Sequence, residues 1–250
     1  MYQDFAYLYD ALQKDVPYKD FADYYEKIME KFQNEKGLCL DLGCGTGNMT
    51  MELSNRGFDM IGVDSSVEML DVAREKAYAE EKSILYLNQD MTSFELYGTV
   101  NTVVSTLDCV NYITDENALL EVFRLVNNYL DPNGLFIFDI NSQYKLEHIL
   151  GNNTYVSDDE DIFYSWQNFY DKEKKICTFE LTFFEKDEDV YYRYDETHYE
   201  RGYSTDEIVS LLTRAGMVVE GVYDNLSFNP PNEKSERIFF VAREKGKVTV

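Results

Sequence analysis

Residues 38–48 read Leu38-Cys39-Leu40-Asp41-Leu42-Gly43-Cys44-Gly45-Thr46-Gly47-Asn48, a compact apolar run that meets an aspartate and opens onto glycines at alternate positions. A continuous apolar run suits a strand buried on both faces. The glycines let the backbone turn tightly without placing side chains between it and a ligand. A helical pattern follows from Met49 to Arg56, stopped by Gly57, a favourable residue just past a helix end. The helix aims its unpaired N–H groups at the glycine turn, which favours a carboxylate or phosphate there. The next apolar run, Phe58 to Val63, ends in Asp64, an acid placed to accept hydrogen bonds from two ribose hydroxyls. Strand, glycine turn, helix and acid-tipped strand together predict a nucleoside-binding α/β unit.

The pattern extends outward in both directions. Ser66 is positioned to cap a helix whose apolar stripe is Met69, Leu70 and Ala73. Ile84 to Leu87 and Val100 to Val104 read as two more strands, and Thr114 as the cap of a helix carrying Leu119, Leu120, Phe123 and Val126. Leu135 to Ile140 makes a fifth strand after the turn Asp131-Pro132-Asn133-Gly134. Strands separated by helices predict a Rossmann-like, mostly parallel sheet with helices on both faces. Residues 1–36, with Tyr18, Phe21, Tyr24, Tyr25, Ile28 and Phe32 at helical spacing, form a helical lead-in. The core spans 37–150. From 151 to 203 alternation replaces the helical period: Cys177, Phe179, Leu181 and Phe183 share one strand face, as do Ile162, Tyr164 and Trp166, and Tyr192, Tyr194, Glu196 and His198. This segment reads as an inserted three-strand antiparallel subdomain. Residues 204–250 return to the core with a capping box, Ser204 with Glu207, and two last strands, Met217 to Tyr223 and Arg237 to Ala242.

The 250 residues carry 23 Lys and Arg against 47 Asp and Glu, a formal charge of −24. Such a chain repels nucleic-acid phosphates and anionic membrane surfaces, so neither is expected as a partner. No apolar run is long enough to span a bilayer, and the acidic, aromatic start MYQDFAYLYD lacks a signal-peptide pattern. The four cysteines show no C-x-x-C pair and only His148 and His198 are present, so a cytoplasmic protein without a metal site is expected.

The glycine spacing narrows the ligand. In G-x-G-x-x-G counted from Gly43, the third glycine slot holds Asn48, and no Gly-Lys-Ser/Thr follows to make a phosphate loop. D-x-G-x-G-x-G with an acid 23 positions after Asp41 resembles the class I S-adenosylmethionine-dependent methyltransferases. Further stretches match in order: Ser65 to Leu70, Asn88-Gln89-Asp90-Met91, Leu107 to Tyr112, and Leu130 to Leu135. The resemblance implies a seven-stranded sheet whose final strand inserts antiparallel, with S-adenosylmethionine as cofactor. It implies that Gly43, Cys44, Gly45 and Gly47 line the cofactor, and that Asp41 steadies the loop and reaches the methionine ammonium. Asp64 would hold the ribose, Ser65 would start the helix whose Met69 packs near the adenine, Asp90, beside Met91, would meet the adenine amino group, and the stretch from Leu107 would contact both the methionine part and the acceptor. Tyr9 and Tyr18 in the lead-in either cover the cofactor from the other side or serve the packing of an amphipathic helix.

A sulfonium methyl donor needs no electrophile built by the protein, so candidate acid–base residues lie where the acceptor binds. Asp108 and Tyr112 follow strand four at the carboxyl end of the sheet, where ligands of open α/β folds bind. Asp108 is either a proton acceptor or a solvated carboxylate. His198, between Glu196 and Glu200 on one strand face, is either a proton acceptor or a structural hydrogen-bond partner. Residues 151–200 hold 14 acidic against 5 basic residues and 13 aromatics. An acidic cover containing Trp166, Tyr192 and Tyr194 would suit a small methyl acceptor, cationic ones included. The expected function is methyl transfer to an amine or hydroxyl of a small molecule by a monomer or homodimer. Two other readings remain open: a cofactor-binding regulator or assembly subunit without catalysis, and an aminopropyltransferase-like enzyme, which usually needs a paired-acid signature after strand four.

Overall fold

In the computed structural model, which describes residues 6, 9–10, 13–159, 162–188 and 190–247, each stretch of the core takes the predicted element type. In chain order these are α1 (Tyr18–Lys31), β1 (Leu38–Leu42), α2 (Asn48–Asn55), β2 (Asp59–Asp64), α3 (Val67–Ala79), β3 (Leu85–Asn88), β4 (Val100–Ser105), α4 (Glu116–Tyr129) and β5 (Leu130–Asn141). A 3₁₀ turn, Cys109–Tyr112, links β4 to α4, and a π-helical turn, Lys145–Leu150, follows β5. Then come β6 (Thr154–Asp159), β7 (Ile162–Asp171), β8 (Ile176–Asp187), β9 (Val190–Arg201), α5 (Thr205–Arg214), β10 (Met217–Asp224) and β11 (Arg237–Glu244). The lead-in helix expected from residue 1 falls partly on residues outside those described.

The first sheet runs β10-β11-β5-β4-β1-β2-β3. All neighbours pair in parallel except β11, which lies antiparallel between β5 and β10. Side chains alternate across the sheet, so the continuous apolar run of β5 serves both faces. Leu135 and Ile137 pack with Phe21, Tyr25 and Ile28 of α1. Phe136 and Phe138 pack with Phe123 of α4 and Leu211 of α5. Phe138 also stacks on Phe240, centroids 5.2 Å apart.

Ser66 caps α3 as expected, accepting from the Met69 N–H at 3.2 Å, and Ser204 and Glu207 complete their capping box. Thr114 does not cap α4; the next residue, Asp115, accepts from the Ala118 N–H at 2.9 Å. A carboxylate there also meets the positive end of the helix dipole. β5 begins at Leu130 rather than Leu135, pairing Leu130 with Val100 across a register shift.

The second sheet is antiparallel in the order β6-β7-β8-β9, four strands where three are expected. β6, Tyr155-Val156-Ser157-Asp158 at its centre, carries too little apolar alternation to announce itself. β9 is fastened to the core at its end: Asn111 Nδ2 donates to the carbonyls of Asn141 and Arg201, both at 2.9 Å. No described helix is long and apolar enough to cross a membrane. From β1 the first sheet grows one way to β2 and the other to β4, and loops that leave the carboxyl ends of such neighbours diverge to make a crevice.

Candidate active site

The glycine turn after β1 is fastened to β2. The Gly43 and Cys44 N–H groups donate to the Val63 carbonyl at 2.8 and 3.0 Å. Asp64 organises both sides of the crevice: its Oδ2 accepts from Gly45 N–H at 2.8 Å and its Oδ1 from Ser66 N–H at 2.9 Å. Burial raises its carboxyl pKa against those two backbone donors. Gly43 has φ +79°, and a Cβ there would lie 2.9 Å from Cys109 Sγ and 3.3 Å from Met91 Cε. Beneath the turn, Thr50 Oγ1 donates to Asp41 Oδ2 at 2.6 Å, and burial pushes the Asp41 carboxyl up to about 7.

A cavity of about 620 Å³ opens at this crevice, joined by a recess of about 40 Å³. Of the residues expected at a cofactor, Gly43, Gly45, Asp64, Ser65, Met69, Asp90, Met91 and Leu107 line the cavity. Tyr18, Asp41 and Cys44 line the recess, which shares Gly43, Gly45 and Leu107 with it. Gly47 is not among the residues lining either. It sits at the N-cap of α2 with φ +78°, where a Cβ would meet the Tyr86 hydroxyl at 2.8 Å and Ala73 Cβ at 2.9 Å. Tyr9 borders both spaces. Its neighbour Asp10 accepts from Thr46 Oγ1 at 2.5 Å and Asn48 Nδ2 at 3.0 Å, and pairs with Lys76.

Asp108, Tyr112 and His198 all line the cavity. Asp108 is not a solvated carboxylate: Arg237 Nη2 donates to its Oδ1 at 2.8 Å, with both side chains about 15% exposed. Its backbone is unusual, because Leu107 and Asp108 are consecutive non-glycine residues with φ +60° and +55°. The Asp139 carboxylate, fully buried, accepts the N–H of Leu107 at 2.9 Å on one oxygen and of Asp108 at 3.1 Å on the other. Arg237 also pairs with Asp139. Two successive N–H groups turned onto one anion form a nest, and this nest holds Asp108 in place.

The Tyr112 and His198 rings meet edge to face, centroids 5.8 Å apart. Burial lowers the His198 pKa, favouring the neutral ring. Tyr112 leaves 46% of its surface accessible, yet that surface borders a walled cavity, and desolvation with Glu200 and Asp108 nearby pushes its phenol up. Opposite stand Tyr164, Trp166, Phe179, Leu181 and Phe183 of the second sheet. Tyr192 and Tyr194 are not among the lining residues, a correction to their expected place. They pair with Glu185 and Phe183, nearer the β8–β9 turn than the pair Phe179 and His198.

Sequence reasoning missed Asn141, Lys145, Glu200 and Arg237, all of which line the cavity. Only Glu200 carried a signal, as the next residue on the His198 strand face. Asn141 Nδ2 donates to Glu200 Oε2 at 2.9 Å, and Lys145 Nζ to Asn141 Oδ1 at 2.8 Å. Among the described residues no cluster of three or more potential ligands is arranged to hold a metal.

The residue set suits S-adenosylmethionine. The Gly43 cradle is filled by any added Cβ, an acid stands at the end of β2, and the recess ends on a buried carboxyl group at Asp41. A methyltransferase-domain family model matches residues 39–134. A relative named "Putative methyltransferase YqeM", from Bacillus subtilis (strain 168), is 36% identical over 253 residues, covering 100% of this chain and 99% of that one. The structure of an S-adenosylmethionine-dependent methyltransferase from Clostridium acetobutylicum ATCC 824 superposes with a TM-score of 0.90 at 33% identity, over 98% of this chain and 99% of that chain. SAM-bound CalS10 from Micromonospora echinaspora, an amino pentose methyltransferase, shares the fold with a TM-score of 0.75 at 16% identity, over 96% of each chain. The sugar N-methyltransferase KedS8 from Streptoalloteichus sp. ATCC 53650 does so at 0.79 and 18%, over 96% of this chain and 93% of that chain. Full-length relatedness and a cradle that suits the cofactor lead to one assignment: the chain belongs to the class I S-adenosylmethionine-dependent methyltransferases.

Proposed function

We propose that the protein methylates an amine or hydroxyl of a small molecule held between the glycine turn and the second sheet. The observation that carries this reading is the shared cavity, lined both by the expected cofactor residues and by Asp108, Tyr112, His198 and aromatic side chains of the second sheet. Its size falls within the range of small-molecule sites, about 300–1,000 Å³. The names of CalS10 and KedS8 agree with a small acceptor bearing nitrogen.

When bound, S-adenosylmethionine supplies a methyl group on a sulfonium, already activated for displacement. Gly43, Gly45 and Asp64 would hold it, with Asp41 at the methionine end and Asp90 and Met91 at the adenine end. The protein's own task is to orient the acceptor and exclude water, and good orientation lowers a barrier by about 7–11 kcal/mol in favourable systems. The second sheet, within the inserted segment 151–203, acts as the lid over the acceptor. Tyr9 and Tyr18 cover the cofactor end. His198, kept neutral by burial, accepts a hydrogen bond from the reacting group of the acceptor and orients it, and Tyr112 fixes its ring.

Methyl transfer from S-adenosylmethionine to a panel of amino sugars, simple amines and matched alcohols tests this reading. At least one small acceptor is expected to turn over, with His198→Ala slowing turnover while S-adenosylhomocysteine binding holds. Turnover of peptides or nucleic acid alone would overturn it.

A further inference from the structure

Glu200 is a buried acid that the reading above leaves without a task. It is 3% exposed, lies on β9 one face-step beyond His198, and lines the cavity. Its Oε2 accepts from Asn141 Nδ2 at 2.9 Å, and Arg237 Nη2 reaches both Asn141 Oδ1, at 3.4 Å, and Asp108, which brings the two carboxyl groups to one end of the same buried network. Two carboxyl groups sharing a buried site do not both ionise readily, so one keeps a proton. Arg237 holds Asp108 as the ionised partner, at 2.8 Å, so the proton resides on Glu200.

We infer that Glu200, paired with Asp108, is the catalytic residue that receives the proton of an amine acceptor, which makes the enzyme an N-methyltransferase. The inference rests on the small-acceptor reading and narrows it. An acceptor amine arrives as an ammonium ion. Its positive charge replaces the Glu200 proton, which leaves to solvent, and Asp108 and Glu200 then both face the cation as carboxylates. One N–H bond next breaks: the proton passes to a Glu200 oxygen and the electron pair stays on nitrogen, free to bond the methyl carbon. The S–CH₃ bonding pair leaves with sulfur, and the positive charge that appears on nitrogen again faces the Asp108 carboxylate.

The surroundings suit the task. Burial and the neighbouring Asp108 push the Glu200 carboxyl well above its usual range, partly offset by Asn141 and Lys145. A carboxylate of raised pKa is a better proton acceptor. The other groups facing it are Tyr112 from the 3₁₀ turn and Cys177 from β8. Trp166, Phe179 and Phe183 opposite offer ring faces to the rest of a cationic acceptor.

Calorimetry on the full chain with saturating S-adenosylhomocysteine tests the inference with benzylamine and glucosamine, each against its uncharged counterpart, benzyl alcohol or glucose. Near neutral pH an amine is expected to bind at least about tenfold tighter than its counterpart. Repeating the titration in buffers of different ionisation heat should show about one proton released per ammonium bound and none for the alcohol or sugar. Glu200→Gln should abolish the preference, the proton release and N-methyl product formation, while S-adenosylhomocysteine affinity is kept. Equal binding of amine and counterpart, an unreleased proton, or a Glu200→Gln protein that keeps the preference would overturn the assignment. The proton count is made on the wild type and decides the matter even if Glu200→Gln fails to fold. If no member of the panel binds or is methylated while S-adenosylhomocysteine binds, the small-acceptor reading falls, and Glu200's role with it.

Discussion

Asp139 lines neither the cavity nor its recess, yet the Leu107 and Asp108 N–H groups and the Arg237 guanidinium converge on its carboxylate. Left-handed backbone costs a non-glycine residue about 1–2 kcal/mol, and here two in succession are held by one anion. Asp139→Asn leaves Arg237 with a lost charge partner and turns an N–H donor toward a backbone N–H. Breaking a buried pair in this way costs about 3–5 kcal/mol, so the urea midpoint should drop by a corresponding amount; an unchanged midpoint would show that Asp139 is not what holds the loop. Gly43→Ala combines a strained φ with contact on Cys109 and Met91. It should weaken S-adenosylhomocysteine at least about tenfold by calorimetry, the equivalent of about 1.4 kcal/mol, in a protein that still folds. Gly43 and Asp64 were legible because their chemistry is local, a turn and a strand end. Asp139 and Arg237 were not. They lie 98 positions apart and become neighbours only because β11 pairs with β5, placing Phe239 opposite Asp139 and Arg237 opposite Asn141.

At the scale of elements, the lead-in is fastened at Asp10 to the glycine turn and α3 through Thr46, Asn48 and Lys76. Asp10→Ala removes charge-assisted bonds worth about 1.5–3 kcal/mol each. S-adenosylhomocysteine should then dissociate faster, on the order of tenfold, in stopped-flow displacement; an unaltered rate would mean that this stretch does not close the cofactor end. Ser204→Ala, which removes one arm of the capping box of α5, should lower thermal stability by ~1 kcal/mol. Most elements could be read from periodicity because each buries a face of its own. β6 could not, since its residues are held mainly by pairing with β7 and present little apolar pattern. Likewise Asp115 outcompetes Thr114 as a cap for a reason invisible to pattern: where the chain leaves the 3₁₀ turn decides which side chain reaches the Ala118 N–H.

Across the whole molecule, the acidity first read as a possible property of the cover is mostly on its outside. In the second sheet Asp171, Glu180 and Asp195 are exposed, and Glu200 is the acid of β9 that is buried. The surface acids keep the protein soluble, and the few buried ones set its response to pH. Asp41 keeps its proton to about pH 7 in the fold, but only to about pH 4 when unfolded. Between these values the folded state binds the extra proton, so this residue's contribution to stability falls as pH rises. Asp41→Asn has no such loss. Its stability relative to wild type should therefore grow between about pH 4.5 and about pH 8 in urea titrations; a constant difference would place the Asp41 pKa near its unfolded value. The position of β11 bears on how the protein is made. β11 follows β10 in the chain yet lies inside the sheet, between β10 and β5, and it carries Arg237. Until it arrives, β5 presents an unpaired edge and Asp108 has no cation. A chain made only as far as β10 therefore exposes a strand edge prone to stick, and the ion pair that anchors Asp108 forms only when β11 docks.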